Sequence, residues 1–83
     1  MKKFLAITAA IFAASPSLAI NWADRTWGAK ACELLRSGYG KTEAIRVAGD
    51  RVGASVMLAS TPRQSALYVV NNCLDAYRNA PDY

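Results

Sequence analysis

The stretch RSGYGKTEA, residues 36–44, lies between two segments whose apolar residues recur every three or four positions. Gly38 suits the left-handed backbone conformation that ends many helices, and Thr42 is a good residue to cap the next helix. We therefore interpret the stretch as a short connection between two helices. This connection decides the fold, because it lets the flanking helices turn back on each other.

The same stretch contains Gly-Lys-Thr, which is also how a phosphate-binding loop ends. Such a loop needs a glycine five positions before Gly40, and that position is Leu35. It also needs a preceding strand, whereas the preceding segment has a helical pattern. The sequence therefore predicts no nucleotide binding at Lys41.

The first predicted helix covers residues 21–37. Asn21 is a good N-cap, and Asp24 lies in the first turn, where a negative charge is favourable. One face of this helix is apolar and has Cys32 at its edge; its residues are Ala23, Trp27, Ala31, Leu34 and Leu35.

The second predicted helix covers residues 42–59, with Ile45, Ala48, Val52, Val56 and Ala59 in one stripe. Two glycines, at positions 49 and 53, leave open a kink or break between residues 49 and 54. Because the stripe stays in phase through both glycines, we predict one continuous helix.

The third predicted helix covers residues 62–78. Thr61 is its expected N-cap, Pro62 its first residue, and Gln64 completes a capping box. Its predicted apolar face consists of Ala66, Val69, Val70, Cys73, Leu74 and Tyr77. The expected fold class is therefore all-α, a three-helix bundle.

Residues 1–19 have the features of a secretory signal peptide. Lys2 and Lys3 precede an apolar run of 11 residues, and Ser17 and Ala19 are small residues suited to cleavage. The run is shorter than the roughly 20 residues that span a bilayer. We expect cleavage after Ala19, which leaves residues 20–83 as a single small helical domain; the alternative is an uncleaved membrane anchor.

The basic charge of the chain comes partly from this leader. Removing residues 1–19 takes away two lysines and no acid, so the net charge falls from +4 to +2. The remaining cations are spread among acids and form no basic face, which argues against a nucleic-acid partner. We also expect no stable membrane insertion after cleavage.

The chain has two cysteines, Cys32 and Cys73, and no histidine. A disulfide is the usual use of an even cysteine count in a small exported domain, and here it would join helices one and three. A reactive thiol pair or a metal site are the alternatives, but the spacing is neither Cys-x-x-Cys nor a four-ligand zinc set. Closing a loop of about 40 residues should add roughly 4 kcal/mol.

The pattern Cys32-x-x-Leu35-x-x-Gly38, a second amphipathic helix, and Tyr68-Val69-Val70 before Cys73 resembles a group of bacterial proteins. These are small exported two-cysteine helical proteins that form a domain of unknown function. The resemblance covers roughly residues 27–77. It implies export, helices and a disulfide bridge, and it implies no activity and no catalytic residue.

Catalysis is not expected from this composition. There is no histidine to act as base or metal ligand, and the cysteines are expected to form the bridge. The serines have no visible activating partner. We therefore expect no enzyme activity, cofactor or metal.

Residues that neither pack nor cap are the candidates for partner contact. Trp22 lies off the Trp27 stripe, Val47 and Leu58 lie opposite the main stripe of helix two, and Tyr68 is expected to point away from the apolar face of helix three. The candidate partner surface comprises Trp22, Val47, Leu58, Tyr68, Asn72 and Asp75.

Two functions remain open. The first is a protein-binding or accessory module without catalytic activity, located in the periplasm or outside the cell. The second is a periplasmic stress chaperone of the holdase type, which exposes apolar surface on demand. A homo-oligomer is compatible with both.

Overall fold

The computed structural model describes residues 20–83, so the predicted signal peptide lies outside the described residues. Within this range the chain forms five helices and no strand. The helices are α1 (Trp22–Arg36), α2 (Lys41–Val52), α3 (Ala54–Leu58), α4 (Pro62–Asn72) and α5 (Leu74–Asn79). The all-α prediction is confirmed. Three continuous helices are not found, because the second and third predicted helices are each interrupted.

Helix α1 begins and ends as its sequence predicts. The main-chain N–H of Asp24 donates to the Asn21 side chain at 2.7 Å, and the N–H of Asn21 donates to the Asp24 carboxylate at 3.0 Å. These two bonds form a capping box, which satisfies N–H groups that have no partner inside the helix. At the other end Gly38 has a φ of +105°, the left-handed conformation expected there.

The prediction of one helix over residues 42–59 is wrong at both ends of α2. Gly53 has φ +99° and ψ 169°, a conformation that glycine alone adopts readily, and it separates α2 from α3. The helix also starts one residue early, with Gly40 as N-cap. Thr42 therefore does not cap the helix, and its hydroxyl instead donates to the Asp82 carbonyl at 3.3 Å.

The third predicted helix is interrupted at Cys73. Thr61 caps α4 as predicted, since its hydroxyl accepts the N–H of Gln64 at 3.1 Å, and Pro62 is the first helical residue. Cys73 then leaves the helical conformation with φ −143° and ψ 50°. Its sulfur is bonded to that of Cys32, with 6.1 Å between the two Cα atoms. The predicted disulfide is confirmed, and it joins α1 to the α4–α5 junction.

Helix α1 lies at the centre and contacts each of the other four helices. Its buried face packs on the predicted stripe of α2 and α3 and on Val69 of α4. Much of the core is small, which allows the helix axes to approach closely. The core residues are Ala23, Trp27, Ala31, Cys32, Leu34, Leu35, Ala44, Ala48, Val56, Val69 and Cys73.

Two placements on α4 differ from the prediction. Tyr68 does not point away from the apolar face but packs against the core, because Gly28 opposite has no side chain. A Cβ at Gly28 would lie 2.5 Å from Cδ1 of the Tyr68 ring. Val70, predicted to be buried, is exposed, whereas the adjacent Val69 is fully buried as predicted.

Candidate functional site

One concave feature among residues 20–83 is an open groove of about 550 Å³. Its surface is mainly apolar, and it is formed by side chains from all five helices. The apolar residues that line it are Trp27, Ile45, Met57, Pro62, Ala66 and Tyr77. A groove of this volume falls within the range of ligand-binding clefts.

Trp27 is a fixed part of the groove surface. Its indole Nε1–H donates to the main-chain carbonyl of Ile45 at 2.7 Å, so the ring is held against the middle of α2. The ring also packs on Gly49, where an added Cβ would lie 2.8 Å from Trp27 Cζ2. Because the ring is buried and hydrogen-bonded, its position at the groove does not depend on a ligand.

Helix α2 forms one long side of the groove. The contributing positions, Lys41, Thr42, Ile45, Arg46 and Asp50, run along its length. At 1.5 Å per residue, the distance from the first to the last is about 14 Å. The groove is therefore long enough to contact more than two turns of an apposed helix.

The cations that α2 contributes to the groove have anionic partners. Arg46 lies between two acids, with its guanidinium 3.8 Å from Glu43 and 3.7 Å from Asp50. These three side chains are largely exposed, so each pair stabilises the fold by about 1 kcal/mol or less. Their charges nevertheless compensate each other locally.

Lys41 is tied to the C-terminal residues. Its Nζ donates to the Ala80 carbonyl at 2.7 Å, lies 3.6 Å from the Asp82 carboxylate, and is 5.4 Å from the centre of the Tyr77 ring. These three interactions compensate the positive charge of Lys41 within the chain itself.

Arg63 is different from the other two cations. It is exposed, and within the described part of the chain it makes no ion pair or hydrogen bond. It is the second residue of α4. The N-terminal end of a helix carries partial positive charge, so a cation there is unfavourable by a few tenths of a kcal/mol to about 1 kcal/mol. The positive charge of Arg63 in the groove is therefore uncompensated, and it lies near the positive end of the α4 dipole, where it is unfavourable for the fold.

The main-chain N–H groups at the start of α2 have acceptors in the C-terminal segment. Lys41 donates to the Pro81 carbonyl at 2.8 Å and Glu43 donates to the Tyr83 carbonyl at 3.2 Å. Gly40 allows this approach, because a Cβ there would lie 1.7 Å from the main-chain carbon of Tyr83. The donors that a phosphate loop would offer are therefore bonded to this chain's own residues.

A second polar site joins the start of α1 to the α3–α4 connection. Asp24 is only 1% exposed, and its carboxylate accepts hydrogen bonds from the Ser60 hydroxyl and, at 3.3 Å, from the Gln64 amide. The Asn21 side chain extends the network by donating to the Ala59 carbonyl at 3.0 Å. Asp24 lies in the first turn of α1 as predicted, and its burial is a feature that the sequence pattern does not indicate.

The ionisation of Asp24 reflects two opposing effects. Burial disfavours the charged form and raises the pKa of the carboxyl. Hydrogen bonds from Ser60, the Asn21 main chain and Gln64 favour the charged form, as does the nearby charge of Arg25. Together these bring the pKa below the ordinary value of 3.8. Asp24 is therefore an ionised, fully hydrogen-bonded structural carboxylate.

The predicted partner-surface residues lie outside the groove. Leu58 is 88% exposed and Trp22 is 54% exposed, whereas Val47 is half-buried against the core. Leu58 lines a separate, shallow depression beside Asn21. The role of Leu58 and Trp22 in partner contact stays a prediction.

The helix-three candidates are also dispersed. Tyr68 packs on Gly28, and the Asn72 amide donates to the Tyr68 carbonyl at 2.8 Å. Asp75 is exposed on α5. The structure does not bring these three together with Trp22 or Leu58 in one of the concave sites.

Sequence reasoning missed the groove because its residues looked ordinary. The sequence pattern places Ile45, Ala66 and Tyr77 on predicted apolar faces, and Arg63 is one of the dispersed cations. Among these residues only Arg63 is unusual in the sequence, because a cation in the first turn of a helix is unfavourable next to the positive end of the helix dipole. The groove exists because α2, α4 and α5 leave part of their apolar stripes uncovered.

Residues 20–83 contain no group of three or more acidic, histidine or cysteine side chains that could hold a metal ion. In the same residues, no helix has both the length and the apolar character needed to cross a membrane. No protein-family model, curated protein or solved structure matches this chain. The resemblance to small exported two-cysteine proteins stays a prediction.

Proposed function

We propose that this chain is an exported, disulfide-linked accessory protein that binds a segment of a partner protein in the groove and performs no catalysis. The observation that carries the proposal is the groove itself, an apolar concave surface built on a fixed Trp27 ring. A contiguous concave apolar surface is typical of an interaction site on so small a domain.

The openness of the groove favours a macromolecular partner over a small ligand. A bound small molecule usually has 70–90% or more of its surface covered by the protein, as an order of magnitude for such sites. Here Met57, Arg46 and Arg63 are exposed at the sides, so an occupant is covered on one face only. A protein segment suits this geometry, because its other face can remain in contact with its own domain or with solvent.

The rigidity of the fold supports the same function. The Cys32–Cys73 bridge links the central helix to the α4–α5 junction, and both α4 and α5 contribute residues to the groove. A surface that is ordered before binding avoids part of the entropic cost of association. A disulfide is also a suitable crosslink for a domain that works outside the cytoplasm.

Affinity capture from the exported fraction tests this proposal. Ala66→Phe places a large side chain in the groove, and Ala29→Phe makes the same change on the exposed face of α1. We expect the unmodified protein and Ala29→Phe to retain the same partner, and Ala66→Phe to lose it. Equal recovery of that partner by all three proteins would exclude the groove as the binding site.

A holdase-type periplasmic chaperone is the second candidate, and Asp24 is the observation in its favour. The carboxylate joins α1 to the α3–α4 connection, and its protonation in acid removes the charge that Ser60 and Gln64 stabilise. Loosening at that junction would expose the apolar stripe of α3. The test is protection of an aggregating client near pH 3. A protein that suppresses no aggregation there while its groove still binds a partner at neutral pH is an accessory protein and not a chaperone.

A further inference from the structure

We infer that the partner segment is an amphipathic α-helix that carries a carboxylate opposite Arg63. The inference rests on the proposed function, since it specifies what the groove binds. Three properties of the groove support it: its helical walls, its length, and the single positive charge that lacks a partner.

The walls of the groove favour an occupant that satisfies its own main chain. Residues 20–83 contain no strand, so the groove has no sheet edge to which an extended peptide could add. An extended segment pressed on apolar side chains would bury N–H and C=O groups without hydrogen bonds, which is unfavourable. A helix avoids this, because its main-chain groups bond to each other.

The dimensions match two to three turns of such a helix. The side formed by α2 extends about 14 Å, the length of roughly nine helical residues. Apolar residues at positions i, i+3 or i+4, and i+7 of the partner would lie along this length. They would contact Ile45, Ala66 and Tyr77, which are partly exposed in the groove. Met57, which is flexible and half-exposed, can adapt to different side chains there.

The charge distribution selects an acidic occupant. Arg46 and Lys41 already lie near acids of this chain, whereas Arg63 has no such partner among residues 20–83. A carboxylate bound beside Arg63 would gain from the guanidinium and also from the positive end of the α4 dipole. Binding would thereby compensate the unfavourable position of Arg63 in the free protein.

Selection from a random 16-residue peptide display library on the exported, oxidised protein tests the inference without assuming a partner. We expect the enriched peptides to share an apolar stripe of helical period and at least one Asp or Glu beside it. We expect Arg63→Glu to weaken their binding at least tenfold. Arg78→Glu makes the same charge change on exposed α5 outside the groove, and it should leave binding within about twofold.

The location of binding is read from the indole N–H resonance of Trp27, which Trp22→Phe distinguishes from the only other tryptophan. A shifted Trp27 resonance and loss of binding in Ala66→Phe place the peptide in the groove. Arg63→Glu should fold at least as well as the unmodified protein, because an acid is favourable in the first helical turn.

The results separate the inference from the function on which it rests. Peptides that bind the groove but lack acidic residues, or that bind Arg63→Glu as tightly as the unmodified protein, overturn the inference and leave the proposed function standing. Selection of no peptide, or only of peptides that bind Ala66→Phe normally, overturns both.

Discussion

The indole N–H of Trp27 donates a 2.7 Å hydrogen bond to the main-chain carbonyl of Ile45, which joins the central helix to the side of the groove. This contact connects stability to the candidate site, because the same ring is part of the core and part of the groove surface. A single side chain therefore contributes both to the packing of α1 on α2 and to the base of the groove.

Replacing Trp27 by Phe should destabilise the fold markedly. The change removes the hydrogen bond to Ile45 and leaves part of the ring volume empty beside Gly49, for a combined loss of about 2–4 kcal/mol. Urea denaturation of Trp27→Phe and of the unmodified protein measures this loss in the free energy of unfolding. Trp22→Phe is the matched control at an exposed tryptophan and should change the free energy of unfolding by less than about 0.5 kcal/mol. Equal effects of the two substitutions would contradict the structure.

Removing the Cys32–Cys73 bridge should lower stability by roughly 4 kcal/mol, since the bridge closes a long loop in the unfolded chain. The sequence separation is 41 residues. In denaturant melts, the double variant Cys32→Ser, Cys73→Ser and the reduced unmodified protein should show similar decreases in the free energy of unfolding. A melting temperature that is insensitive to reductant would show that the bridge does not constrain the fold.

Asp24 should make the fold sensitive to acid. Its pKa in the folded protein is below the ordinary value of 3.8, so the folded state favours the ionised form. The resulting stabilisation is present above about pH 4 and is lost as the pH falls through the folded pKa. Asp24→Asn should therefore be less stable than the unmodified protein by about 1–3 kcal/mol at pH 7.

The difference between the two proteins should shrink as the pH falls from 5 to 2, as measured by denaturant melts at each pH. Asp75→Asn is the control, because Asp75 is exposed on α5. A constant difference between Asp24→Asn and the unmodified protein across this range would mean that the carboxylate is not held in its charged form.

Gly40→Ala should detach the C-terminal segment from α2. The new Cβ would lie 1.7 Å from the main-chain carbon of Tyr83, so the hydrogen bonds from Lys41 and Glu43 to that segment cannot persist. We expect faster hydrogen exchange at these two amides. Gly38→Ala is the contrasting variant: it has open space but a φ of +105°, so it should weaken the fold by about 1 kcal/mol without selectively releasing those amides. Unchanged exchange in Gly40→Ala would contradict the close approach.

The sequence predicts most of the fold features that depend on local chemistry, although the expected cap at Thr42 is not found. The capping residues Asn21 and Thr61, the helix-ending Gly38 and the Cys32–Cys73 pair all act over short distances or through a unique pairing. Each is found as expected. These signals decide where helices begin and end, and which two of them are joined.

Features that depend on tertiary packing were not predictable in the same way. The contact of Tyr68 with Gly28 requires knowing that α1 and α4 cross at that point. The predicted partner-surface residues lie off the main apolar stripes, whereas part of the groove consists of stripe residues, such as Ile45 and Tyr77, that the other helices leave partly exposed. Periodicity identifies an apolar face, but it does not tell how much of that face the neighbouring helices bury.

Gly53 provides a direct test of where periodicity misleads. If residues 41–59 formed one helix, Gly53→Ala would stabilise it by about 1 kcal/mol, since alanine is the better helix former. In the structure Gly53 has φ +99° and ψ 169°, where a Cβ is strained by about 1–3 kcal/mol. No neighbouring atom lies within 4 Å of the added carbon, so backbone strain is the expected effect of the substitution and no new side-chain contact offsets it. We therefore expect Gly53→Ala to destabilise the protein in urea melts, and an increase in both stability and helical circular dichroism would show that α2 and α3 are continuous.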